Sequence, residues 1–156
     1  MRKRFMLVFV LILTVAFGAF AAKLDVAGYK QEIGRIFKAV EDASKPLTTL
    51  NPADVAGAGK VYKGVIETVT PLYKELGTLE APDSLKGAHE KLVAGSDATL
   101  EALKIATEMV GIAGNPSATA NPDTMKKIQE LQTKAGSLAP KLLGMQEAMV
   151  EIEAAK

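Results

Sequence analysis

Cysteine and tryptophan are missing altogether, and histidine occurs once, as His89. Without thiols the chain forms no disulfide, builds no thiolate metal centre and attaches no haem covalently, so its stability has to come from packing. A lone histidine excludes the paired Glu-x-x-His motifs of di-iron bundles and the His-Glu-x-x-His of zincins, and no nucleophile carries the local signature of a catalytic triad. No enzyme is expected. Aromatic residues make up only 5% of the chain, while Ala, Gly, Leu, Val and Lys dominate, a balance that favours closely approaching helices over sheets.

A run long enough to span a bilayer is also lacking. Arg2-Lys3-Arg4 precede an apolar stretch from Phe5 to about Phe17, shorter than the ~20 residues a spanning helix needs. Ala19-Phe20-Ala21 then supplies the small-x-small pattern that signal peptidases cut after. Residues 1–22 therefore read as a secretory signal peptide, and the protein is expected in the periplasm or outside the cell. If the segment were kept, it would tether the same domain to the membrane. No cysteine follows it, so a lipid tether at a new N-terminal thiol is excluded.

Charge of one sign is scarce as well. The segment takes three of the 19 basic residues and none of the 18 acidic ones, leaving 16 against 18 and a formal charge of −2. No basic cluster with interleaved aromatics remains, so neither nucleic acid nor an anionic membrane surface is an expected partner.

What is present is periodicity. Four apolar seams step alternately by three and four residues, the signature of amphipathic helices packing in a bundle. The first runs Val26, Tyr29, Ile33, Ile36, Val40, Ala43, Leu47, Leu50, with Phe37 beside it. The second runs Val55, Ala58, Tyr62, Val65, Val69, Leu72, Leu76, Leu79, behind an expected Asn51-Pro52 cap. The third follows Pro82-Asp83-Ser84 and is the polar one: Leu85, His89, Leu92, Ser96, Thr99, Leu103, Ala106, Val110, Ala113. The fourth follows Asn121-Pro122 and reads Met125 or Ile128, then Leu131, Ala135, Leu138, Leu142, Met145, Met149, Ile152. The spacing predicts an all-α fold, an antiparallel up-down-up-down four-helix bundle formed by residues 23–156 as one domain.

Pro46, Pro71 and Pro140 each remove a helical hydrogen bond, predicting kinks, or early ends to the first two helices. The small, polar segment Gly114 to Pro122 is expected to form an exposed tip. Gly57, Gly59 and Gly64 would let another backbone come close, inside the bundle or on a face for self-association.

His89 shares a helix face with Leu85 and Leu92, whereas Glu90 belongs to the solvent side. Two readings stand. In one, His89 is a core residue satisfied by Ser96, Thr99 or a backbone carbonyl, its polar layer setting register, with Met145 and Met149 filling core gaps. In the other, antiparallel register brings Met149, with Met145 a turn away, level with His89. The three would then form a cofactor-binding pocket for non-covalent haem, or suit Cu(I). Neither a bound metal nor a cofactor is required by the first reading.

The stretch Leu76-Gly77-Thr78-Leu79-Glu80-Ala81-Pro82-Asp83-Ser84-Leu85-Lys86-Gly87-Ala88-His89-Glu90-Lys91-Leu92 resembles a pattern of small exported bacterial four-helix-bundle proteins and lipoproteins of unknown function: a Leu-rich helix end, a proline, then Leu-Lys-x-x-His-x-x-Leu. It covers under a fifth of the chain, and implies the fold and a bacterial source without an activity. The expected function is a non-catalytic exported bundle acting through protein interaction in the cell envelope, as an accessory, chaperone-like or scaffold protein. Its partner would be an envelope or extracellular protein or, in a homo-oligomer, a second copy. The alternative is a carrier of haem or another small ligand at the His89 level.

Overall fold

The computed structural model describes residues 24–51, 54–115 and 121–156. The expected signal peptide, its cleavage site and 116–120 of the polar tip lie outside them. The helices are α1 (Val26–Thr48), α2 (Val55–Thr78), α3 (Lys86–Ala113) and α4 (Pro122–Ala154), with a 3-10 turn at Asp83–Leu85 leading into α3. They form the antiparallel up-down-up-down bundle that the seams predict, α1 packing on α2, α2 on α3 and α3 on α4. Among the described residues no helix is long and apolar enough to cross a membrane.

Each seam becomes a helix because its ends are satisfied locally as well as its face buried. Asp25 accepts a hydrogen bond from the Gly28 amide at 2.7 Å, and Asp54 one from the Gly57 amide at 2.8 Å. Both helices thus open with the same tetrapeptide, Asp-Val-Ala-Gly, whose first carboxylate caps the third helical amide. The second of these caps corrects the expected Asn51-Pro52 start: Asn51 instead closes a turn, its carbonyl accepting from the Asp54 amide at 3.0 Å. Asn121 does cap α4, accepting from the Asp123 amide at 2.9 Å with Pro122 in the first turn. At the start of α3 the N-cap residue Leu85 makes no side-chain cap, and the 3-10 turn precedes it.

The prolines lie inside helices. α2 runs on past Pro71 to Thr78, so the early end allowed for there does not occur, while α1 stops two residues after Pro46. Pro140 sits in the middle of α4. Just before Pro71, the Thr70 hydroxyl donates to the Ile66 carbonyl at 2.6 Å, a back-bond of the kind that accompanies local bending.

The buried side chains divide into two groups along the rod. The larger draws on all four helices: Tyr29, Ile33 and Ile36 from α1, Val65, Val69, Tyr73 and Leu76 from α2, Ala88 and Leu92 from α3, Ala148 and Ile152 from α4. The smaller consists of Ala98, Ile105, Leu131 and Leu138 and belongs to α3 and α4 alone. At the larger core α1 also meets the end of α4, where the Lys30 ammonium donates to the Glu153 and Ala155 carbonyls at 2.8 and 3.0 Å. Arg35 of α1 pairs with Glu75 of α2, and Lys134 of α4 with Glu101 of α3.

Candidate functional site

The starts of α1 and α3 and the ends of α2 and α4 meet at one end of the bundle, as the topology requires. There Tyr29, fully buried, places its hydroxyl 2.8 Å from Nδ1 of half-buried His89, the two rings edge to face with centroids 5.9 Å apart. The Asp25 cap fixes the turn that carries Tyr29, and the 3-10 turn ending at Leu85 sets the first turn of α3 that carries His89. Burial holds both groups neutral. It pushes the phenol up to about 12 and pushes the imidazole below its ordinary range, Glu90 acting weakly against the latter. The positive end of α3 adds to the bias against imidazolium.

Tyr29 occupies one ring nitrogen of His89, and Nε2 has no hydrogen-bond partner among the described residues. No side-chain nitrogen or oxygen there is both fully buried and unpartnered, so Nε2 reaches solvent. His89 lines an open depression of 410 Å³ together with Glu80, Ala81, Lys86 and Glu90. The arrangement holds an imidazole in one orientation with one nitrogen available for a ligand.

Ser96 and Thr99, the hydroxyls considered as partners for His89, bond elsewhere. Ser96 donates to the Leu92 carbonyl at 2.8 Å and Thr99 to the Gly95 carbonyl at 2.9 Å. Thr99 is also hydrogen-bonded with Tyr73, whose phenol burial pushes up while that bond acts in the opposite direction. Met145 lies across Gly95, almost two turns beyond His89: a Cβ on Gly95 would meet its Cγ at 2.9 Å and its Sδ at 3.0 Å. Met149 is half-buried at the margin of the larger core. The structure thus joins His89 to Tyr29 and seats Met145 on another level of α3. Tyr29 stood on the first seam as an ordinary core residue; its pairing emerges only once two separate helices are set level.

A second feature lies on the far side of α4. Met125, Leu143 and Val150 are 48%, 59% and 67% exposed, and they are the large apolar side chains left uncovered among the described residues. All three share one line. Met125 and Leu143 are 18 residues apart, about five turns, and Val150 follows seven later, about two turns. Met125 was one of two expected starts for the inner seam of α4; it faces out, and half-buried Ile128 takes the inward place. Ala135 of that seam is exposed too, while Ala148 is fully buried.

The glycine cluster of α2 separates by role. Gly59 lies against α3, where a Cβ would make ordinary contact with Val110 at 3.7 Å, whereas Gly64 faces open space. No group of three or more His, Asp or Glu side chains suited to a metal ion occurs among the described residues. No family model, curated protein or solved structure matches the chain.

Proposed function

We propose that this protein is an exported helical bundle that acts through protein interaction in the cell envelope, with the outer face of α4 as its docking surface. One observation carries the reading: the uncovered large apolar side chains, Met125, Leu143 and Val150, fall on a single line of a single helix. Scattered singly, such residues would need no explanation; aligned, they form a strip suited to another helix. Residues 1–22 supply the export signal in this reading. A photo-cross-linking residue at position 143, in cells exporting the protein, is expected to capture a protein in the envelope, while the same residue at exposed Lys38 of α1 captures none. Equal yields from the two positions would overturn the reading.

His89 supports a second reading, a carrier of haem or another small ligand, on the observation that Tyr29 holds Nδ1 while His89 lines an open depression. Adding haem to the purified protein tests it: a Soret band lost in His89→Ala is the expected result, and a spectrum identical to free haem rejects it.

A further inference from the structure

A second row of residues at seam spacing runs along the outer face of α4, apolar at Met125, Ala139, Leu143 and Val150. From Met125 to Val150 the chain steps four, three, four, three, four, three, four: Met125, Gln129, Gln132, Gly136, Ala139, Leu143, Gln146, Val150, and all eight residues are exposed. This is the spacing of a coiled-coil seam, extending over about 38 Å, and no helix of the described chain covers it.

The pattern is symmetric about a point between Ser137 and Leu138. An antiparallel copy of α4 placed there sets Met125 against Val150, Gln129 against Gln146, Gln132 against Leu143 and Gly136 against Ala139. Met125 and Val150 thus meet near the two ends, Gln129 meets Gln146, Gln132 lies against Leu143, and the two smallest residues meet at the centre, where helices crossing on a two-fold axis come closest. Charge is complementary about nearly the same point. On one flank of the seam Lys126 stands near the start of α4 and Glu151 near its end, neither with an ion-pair partner among the described residues. In the antiparallel pair each Lys126 lies two residues, about 3 Å, out of level with the other copy's Glu151, within reach of the long side chains, and the contact occurs twice. A groove of 480 Å³ lined by Lys126, Gln129, Glu130, Thr133, Lys134 and Ser137 runs along this flank.

We infer that the occupant of the α4 face is a second copy of this chain, bound antiparallel through α4 about a two-fold axis at Ser137–Leu138. The inference rests on the reading of that face as the docking surface. Sedimentation equilibrium of the protein purified from the exporting cell is expected to give the mass of two copies. Lys126→Glu and Glu151→Lys each place like charges together at two symmetric points and should weaken association about tenfold, and the double variant, with both charges exchanged, should restore it. All these positions are exposed, so circular dichroism should match the parent in each variant. A monomer at every concentration, or a double variant weaker than either single one, would overturn the dimer. A cross-link from position 143 to a different protein rejects the second copy and leaves the interaction role standing, whereas no cross-link from 143 rejects that role itself.

Discussion

A buried phenol and a half-buried imidazole share one hydrogen bond at the end of the bundle, and their chemistry is that of two neutral groups. The folded chain binds a proton at His89 less readily than the unfolded chain, because burial disfavours imidazolium. Between the depressed folded value and the ordinary value of about 6.5, the unfolded state holds more protons, so stability rises with pH across that window. It is fully present above the ordinary value and declines as pH falls through the window. Urea titrations at a series of pH values should show this slope, and His89→Gln, which cannot titrate, should lose it. Glu80, Lys86 and Glu90 line the same depression, Glu90 acting weakly in the opposite sense on the ring. A slope unchanged by His89→Gln would assign the dependence to other groups.

Among the helices, one glycine is required by its neighbour and another is not. Gly95 lets α3 approach α4 so closely that Met145 occupies the space a Cβ would fill, and Gly64 of α2 has nothing within 4 Å. Gly95→Ala is expected to cost about 1 to 3 kcal/mol through overpacking against Met145. Gly64→Ala should gain up to about 1 kcal/mol from helix propensity. Thermal melts of the two variants should therefore move in opposite directions. The helices themselves were legible in the sequence, since periods of three and four survive any context that buries one face. Their starts were less so: Asn51-Pro52 carries good cap chemistry, yet Asp54 captures the helix three residues later through the Gly57 amide. The repeated Asp-Val-Ala-Gly at 25–28 and 54–57 was a readable signal of both starts. Ala135 and Ala148 were not separable by pattern, because a methyl side chain reads alike on either face and only the crossing of α3 over α4 decides which is covered. His89 stood out by being the only one of its kind; Tyr29, one of three tyrosines on or beside the seams, did not.

Across the whole molecule, cohesion is uneven. Four helices enclose the end that holds Tyr29 and His89, whereas the smaller group of Ala98, Ile105, Leu131 and Leu138 is shared by α3 and α4 alone. Hydrogen exchange should therefore run faster for the amides of Thr107 to Ala113 and Met125 to Leu131 than for those of Ile33 to Phe37 and Leu92 to Ser96. Equal protection at both ends would show a single cooperative unit. In an antiparallel dimer each copy would lay the first half of its α4 beside the last half of the other's, so the loosely held part of one copy lies against the firmly held part of the next.

α3 and α4 both run through the two groups of buried side chains. Any mechanical coupling between the two ends of the rod has these two helices as its continuous route. A ligand that stiffens the first turn of α3 at His89 would slow the breathing of its last turns, and a partner gripping the early part of α4 would be sensed, faintly, at the imidazole.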